Sequence, residues 1–111
     1  MKRVAVTGLG CITPLGNSVH EFWQRILAGE SGAGMITRFD ASKFKTRFGC
    51  EVKAFEADAY IDKKELKKYD LFTQYAVGAS DQAIQDSGLD FSNMDSDQRA
   101  EVGVIWASGN G

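Results

Sequence analysis

Apolar residues recur at helical spacing near the start of the chain. The recurring positions are Val19, Phe22, Trp23, Ile26 and Leu27. They fall on one face of a helix, because residues three and four apart lie on the same side. Ser18 and Glu21 have the spacing of a capping box at its start, and Gly29 provides a stop at its end. The pattern predicts an amphipathic helix whose apolar stripe, with Phe22 and Trp23, is buried in the core.

Two segments have the apolar, β-branched pattern of strands. Residues 3–7 alternate and lead into Gly8 and Gly10, where the backbone can pass close to another backbone or adopt a positive φ. Residues 101–107 are nearly continuously apolar, which predicts a central strand of an α/β sheet with both faces covered. A shorter strand, weakened by a glycine, is predicted over residues 46–52. Because a buried strand needs neighbours on both sides, we expect this chain to be either a fragment of a larger protein or a domain whose sheet is completed by another chain.

The second half of the chain contains a longer helical segment. Asp70 is its predicted N-cap, residues 71–87 form the helix, and Gly88 ends it. The stripe comprises Phe72, Tyr75, Ala76, Ala79 and Ala83. Small residues keep this helix slim, which suits close packing against a neighbouring backbone. The polar stretch over residues 90–97 predicts an acidic linker before the last strand.

The glycines after the first predicted strand resemble the beginning of a dinucleotide-binding turn. Gly8 and Gly10 match the first two glycines of the G-x-G-x-x-G fingerprint, but Thr13 stands where the third is required. Pro14 follows, and no helix can begin at Gly10 to point its N-terminus at a pyrophosphate. The sequence therefore argues against a nucleotide site at this turn.

Composition narrows the classes of function. A length of 111 residues with 43% apolar content suits one domain with a core. The net charge of −2 argues against a nucleic-acid-binding chain, and no apolar run reaches the roughly 20 residues that cross a bilayer. No secretory signal is visible at the N-terminus. Cys11 and Cys50 lie far apart without a C-x-x-C motif, which argues against a metal site and favours reduced thiols in the cytoplasm.

Charge is unevenly distributed along the chain. Residues 1–53 carry eight Lys and Arg against four Asp and Glu, whereas the remaining residues carry five against eleven. The acidic half nevertheless contains one basic segment, Lys63-Lys64-Glu65-Leu66-Lys67-Lys68, on a short helix predicted to run from an Asp62–Glu65 capping box to Tyr69. Lysines four apart share a helix face and repel one another. The basic segment is either a solvated helix face or a docking surface for an acidic partner.

Five short motifs occur in series along the chain. They are Val6-Thr7-Gly8-Leu9-Gly10, Thr13-Pro14-Leu15-Gly16-Asn17, Arg38-Phe39-Asp40, Asp70-Leu71-Phe72-Thr73-Gln74-Tyr75-Ala76 and Ala107-Ser108-Gly109-Asn110-Gly111. Each motif alone is weak, but in this order and spacing the series is specific. It resembles the N-terminal part of the β-ketoacyl-[acyl-carrier-protein] synthases, the elongating enzymes of type II fatty-acid synthesis. The resemblance covers essentially all 111 residues.

The resemblance implies an α/β protein with a thiolase-like fold, built of five α-β-α-β-α layers, in which residues 1–111 form part of the N-terminal half. It implies a cytoplasmic homodimer that condenses malonyl-carrier protein with an acyl thioester, without metal, nucleotide or flavin cofactor. In this family the acyl group is held on a cysteine, and two histidines assist the condensation. These three residues lie beyond this chain, and Cys11, Cys50 and His20 do not match them. We therefore expect no catalytic residue within residues 1–111.

Two sets of site residues are implied by position. Lys64, Lys67 and Lys68 match the basic positions that contact the acidic acyl carrier protein in this family. Asn110 matches a position that lines the acyl pocket, where a bulky apolar residue is usual; alternatively, this Asn serves only the turn around it. Two other assignments stay open. One is a chain-length-factor-like partner subunit that lacks the nucleophile, and the other is a coenzyme A-dependent initiating synthase, in which a lysine dock is not expected.

Overall fold

The structure, a computed structural model, describes residues 2–109. The helices in these residues are α1 (Val19–Leu27), α2 (Lys63–Leu66), α3 (Leu71–Ser87) and α4 (Ser96–Ala100), and the strands are β1 (Gly34–Met35) and β2 (Phe48–Gly49). Two 3₁₀ turns span Ala57–Ala59 and Phe91–Asn93. The chain divides into two compact units. One comprises residues 11–56, and the other comprises the residues up to 10 together with those from 57 onward.

Helix α1 of the 11–56 unit forms where the periodicity predicts it. Ser18 Oγ accepts from Glu21 N at 3.2 Å, and Gly29 follows the helix with φ +72°. In a full capping box the Glu21 side chain would accept from the backbone N–H of Ser18. Here Glu21 Oε2 accepts instead from Asn17 N, one residue earlier, at 3.1 Å. The predicted burial of the stripe is wrong: Trp23 is 57% exposed, and no residue of the helix is fully buried. The reason is that no element of this unit covers the outer part of the stripe.

The rest of the 11–56 unit is held by turns and a short antiparallel ladder. Thr13 and Gly16 close a turn around Pro14, in which Thr13 N donates to Gly16 O at 2.9 Å. Strand β2 pairs with β1 in the register Gly34↔Gly49, so the strand predicted over residues 46–52 is reduced to two residues. Glu51 anchors the preceding loop, and it accepts from Thr37 N and Oγ1 and from Arg38 N. These bonds, the Thr37 side chain first, lower the pKa of Glu51.

Helix α3 of the other unit has the predicted bounds. Asp70 is its N-cap, although its side chain makes no capping bond, and Gly88 ends it with φ +71°. The slim face packs closely against a neighbouring backbone as predicted, and the structure identifies this backbone as the N-terminal segment. A Cβ on Gly10 would lie 2.7 Å from Ala83 N, and Leu9 N donates to Asp86 Oδ2 at 2.8 Å. The glycines therefore permit close contact between two backbones.

The two predicted buried strands do not form. Residues 2–12 and 102–107 carry no strand in the structure, Val4 is 93% exposed and Ile105 is 97% exposed. A strand requires hydrogen-bonding neighbours, and the described residues offer none to either segment. Val104 and Trp106 instead line an open, mainly apolar groove of about 420 Å³ along α3.

The acidic linker predicted over residues 90–97 is more ordered than expected. It contains the 3₁₀ turn Phe91–Asn93 and the start of α4. Asp95 and Gln98 form a full capping box at α4. The sequence contains this signal as Asp-x-x-Gln, but the residues after it lack the apolar periodicity that would predict a helix. Among the helices of residues 2–109, none is long and apolar enough to cross a membrane.

Candidate functional site

The basic segment, residues 63–68, is presented by α2 and the turn after it. Asp62 Oδ1 accepts from Lys64 N at 2.9 Å and caps the start of the helix. The helix is four residues long and Lys67 is its C-cap, so it ends before the predicted Tyr69. A helix this short has little stability of its own. Contacts with neighbouring elements must therefore hold the lysines in place.

Gln74 of α3 provides such a contact. Its Nε2 donates to Tyr69 O at 2.8 Å and to Leu66 O at 3.3 Å. These two carbonyls belong to the end of α2 and the turn that follows it. The amide therefore ties the basic segment to a 17-residue helix. In the sequence, Gln74 is recognisable only as part of a motif. Its hydrogen bond to the backbone of a residue eight positions earlier has no periodic pattern from which it could be predicted.

Two of the four lysines in the basic segment are held in ion pairs. Lys63 Nζ lies 3.1 Å from Asp58 Oδ2. Lys68 Nζ lies 2.8 Å from both carboxylate oxygens of Glu65. The predicted capping box between Asp62 and Glu65 is therefore wrong, because the opposite charge three residues away attracts the Glu65 carboxylate.

Lys64 and Lys67 form no ion pair with any residue in the described part of the chain. Both side chains are exposed. Their ammonium groups create a local positive potential on an otherwise acidic half of the chain, and such a potential attracts acidic surfaces in a salt-dependent way. The charge and exposure of the basic segment therefore suit it to bind an acidic partner.

The cysteines and the histidine belong to the 11–56 unit. Cys11 is half-buried, and burial raises the pKa of its thiol, which is the opposite of the shift that activates a nucleophilic cysteine. Cys50 and His20 are exposed in the 11–56 unit. Within residues 2–109 no three His, Cys, Asp or Glu side chains are grouped to hold a metal ion. Asn110, the predicted acyl-pocket residue, lies outside the described residues.

The family of the chain follows from its comparison with known sequences. A family model described as "Beta-ketoacyl synthase, N-terminal domain" matches residues 1–111. The chain belongs to the beta-ketoacyl synthase family. It is 49% identical over 110 residues to 3-oxoacyl-[acyl-carrier-protein] synthase 2 of Synechocystis sp. and 44% identical to the synthase 2 of Vibrio cholerae. Each match covers 99% of this chain and 26% of the relative, so the chain spans about a quarter of the length of these beta-ketoacyl synthases.

Solved beta-ketoacyl synthases have the same local fold. The ishigamide ketosynthase/chain length factor superposes with a TM-score of 0.75 at 39% identity, covering 84% of this chain and 23% of that chain. A beta-ketoacyl synthase from Burkholderia phymatum superposes with a TM-score of 0.68 at 29% identity, covering 87% of this chain and 24% of that chain. The expected thiolase-like fold is confirmed, with this chain forming part of it.

Proposed function

We propose that the protein containing this chain is a 3-oxoacyl-[acyl-carrier-protein] synthase that condenses malonyl-carrier protein with an acyl thioester and releases CO₂. The observation that carries the proposal is the identity of 44–49%, over 99% of the chain, with synthases of that name. The catalytic residues belong to sequence outside residues 1–111. Within this enzyme, residues 1–111 have the role of recognising the carrier protein and supporting the fold.

The activity is tested with the intact purified protein, supplied with malonyl-carrier protein and an acyl-carrier protein. The expected product is the 3-oxoacyl-carrier protein, formed together with CO₂. An intact protein that binds both substrates and makes no 3-oxoacyl product would overturn the assignment as a condensing enzyme.

We assign the docking surface for the carrier protein to Lys64, Lys67 and Lys68. Three observations support this assignment: Lys64 and Lys67 are exposed and without ion pairs among the described residues, Gln74 fixes the turn that carries them, and the named relatives act on carrier-protein substrates. Acidic partners gain association rate from such a surface. The alternative is that the basic segment is a solvated helix face that binds no specific partner.

Charge reversal of Lys64 and Lys67 to Glu in the intact protein tests the docking surface. We expect carrier-protein affinity to fall about tenfold or more at low ionic strength, with a smaller loss at high salt. The matched control reverses Lys43 and Lys45, two exposed lysines of the 11–56 unit without ion pairs among the described residues. Equal losses of carrier-protein affinity in the two double variants would show that the basic segment is only a solvated helix face.

The intact protein is further proposed to be a cytoplasmic homodimer. Family membership supports the dimer, and two widely separated cysteines favour a reducing compartment. Light scattering of the intact protein after size-exclusion chromatography tests the oligomeric state, for which twice the subunit mass is the expected result. Fractionation of the source cells, with the protein expected among the cytosolic proteins, tests the location.

Asn110 is proposed to border the acyl pocket, on the resemblance of the turn Ser108-Gly109-Asn110-Gly111 to the family. An amide facing an acyl chain without a hydrogen-bond partner costs roughly 1–3 kcal/mol. Asn110→Ile in the intact enzyme should therefore change which acyl lengths are accepted, with little effect on the shortest. An unchanged acyl-length profile would identify Asn110 as a turn residue only.

A second candidate is a chain-length-factor-like subunit, a partner without the nucleophile. It is favoured by the similarity to the ishigamide ketosynthase/chain length factor. The two candidates differ in the intact protein, since only the synthase traps an acyl group on a cysteine. Mass spectrometry after incubation with an acyl-carrier protein separates them.

A further inference from the structure

The basic segment contains a carboxylate that neutralises one of its own lysines. Both oxygens of Glu65 lie 2.8 Å from Lys68 Nζ, whereas Lys64 and Lys67 pair with no described acid. Only two of the three lysines assigned to the docking surface are therefore ready to bind. Glu65 itself lies in sequence between Lys64 and Lys67.

We propose that Glu65 is a specificity-determining residue, which holds Lys68 back from weakly matched acidic partners. The inference rests on the docking function proposed above and adds a residue to it. A partner is attracted by Lys64 and Lys67 and repelled by Glu65. It gains the third lysine only when one of its carboxylates replaces Glu65 at Lys68.

The pair of Glu65 and Lys68 is suited to such an exchange because it lies in water. The Lys68 side chain is 64% exposed and that of Glu65 is 43% exposed. Exposed pairs of this kind are weak and are opened easily by a competing charge. A buried pair would instead resist exchange, since separating it leaves a charge without a partner.

The Glu65 side chain makes no capping bond in the helix that carries it. Asp62 caps α2, and the Glu65 carboxylate makes its hydrogen bonds to Lys68. The interaction of Glu65 is therefore confined to the docking surface. Removal of its charge changes recognition while the helix start is kept.

Glu65 provides selectivity because it weakens the binding of partners that do not displace it from Lys68. Diffusely acidic partners meet two unpaired cations and the mutually neutralised pair of Glu65 and Lys68, so their attraction comes from two lysines. A partner with a carboxylate correctly placed for Lys68 also gains a direct contact with the third lysine. Discrimination by repulsion of the wrong partner is common at specific interfaces.

Glu65→Gln in the intact protein tests the proposal, with an unacylated acyl carrier protein as the probe. We expect about two- to fivefold tighter binding at low ionic strength, mainly through a faster association rate, and convergence with the parent at high salt. Glu101→Gln is the matched control, because it removes one negative charge outside the basic segment from the same structural unit. It should leave the affinity unchanged. If Glu65→Gln does not fold, Glu65→Ala carries the same expectation.

A double-mutant cycle with Lys68→Gln identifies the mechanism. The gain from Glu65→Gln should be clearly larger when Lys68 is present than when it is replaced. Equal gains in both backgrounds, or no gain in either, would overturn the proposal. If the Glu65 proposal is overturned but affinity still falls on charge reversal of Lys64 and Lys67, the proposed docking surface is retained. If none of these variants changes carrier-protein binding, the proposed docking function is also wrong.

Discussion

At the scale of single residues, the clearest constraint lies where the N-terminal backbone meets α3. Gly8 and Gly10 face Ala83, Ser87 and Ala79 so closely that any Cβ would collide with backbone atoms. Neither glycine has a positive φ, since Gly29 and Gly88 are the only described glycines that do. The requirement is therefore one of space and not of backbone conformation.

Gly10→Ala is expected to destabilise the intact protein by about 1–3 kcal/mol, the usual effect of an extra group in a closely packed site. The added Cβ would lie 2.7 Å from Ala83 N and also strike Ala79 O. Thermal unfolding followed by circular dichroism measures the loss. Gly34→Ala is the control, because its nearest neighbour would be the flexible end of Lys53 at 4.0 Å; a similar loss in both variants would contradict the steric explanation.

Glu51 provides a residue-scale prediction with a defined pH dependence. The hydrogen bonds from Thr37 and Arg38 lower the pKa of Glu51. The stabilisation is therefore complete above the ordinary glutamate pKa of about 4.3 and is lost as the pH falls through the lowered pKa of the folded state. We expect the amide shifts of Thr37 and Arg38 to titrate below that ordinary value. They should not titrate in Glu51→Gln, and a midpoint above the ordinary value would refute the assignment.

At the scale of secondary structure, elements defined by local interactions form and those defined by distant partners do not. Helices α1 and α3 have capping residues, periodic apolar positions and a terminal glycine within their own sequence. The segments 3–7 and 101–107 have strand composition but require neighbours to become strands. Without such neighbours among the described residues, Val4 and Ile105 are 93% and 97% exposed.

Ser18→Ala is expected to lower the stability of α1 and of the protein by about 1 kcal/mol, through loss of the bond from Glu21 N. Urea unfolding of the intact protein measures the change in midpoint. Gln24→Ala, at an exposed position inside the same helix, is the control and should be neutral or slightly stabilising. Ser18→Gly should recover most of the loss, and a full-sized loss in Ser18→Gly would argue against a capping role.

At the scale of the whole molecule, the described residues expose both unpaired positive charge and apolar side chains. The basic segment stands out in the acidic half, and it includes both its cations and the carboxylate that restrains one of them. Apolar side chains such as those of Val4 and Ile105 are exposed in this chain, which spans about a quarter of its named relatives. The exposed apolar side chains also include Tyr69 and Leu71, which follow the basic segment closely.

The 111-residue chain alone is expected to show no malonyl-dependent condensation. The family reaction uses a cysteine nucleophile and two histidines, whereas this sequence has one histidine, and the thiol of Cys11 has a raised pKa. Product formation from malonyl- and acyl-carrier protein is measured with the chain and with the intact protein in parallel. Condensation by the isolated chain would place the catalytic residues within residues 1–111.

The sequence by itself determined the features that depend on neighbours a few residues away. The bounds of α3, the cap at Ser18, the turn at Thr13–Gly16 and the position of the basic segment were all predictable from spacing. The series of five motifs was sufficient for the family, because their order carries information that no single motif has.

Only the tertiary structure decided how these features are used. It assigned Glu65 to Lys68 instead of to a capping box, tied the basic segment to Gln74, and left Trp23 and Ile105 exposed. The physical reason is the same in each case. Local spacing fixes which backbone groups can be capped, but burial, strand pairing and the choice among several opposite charges depend on which groups the fold brings together in space.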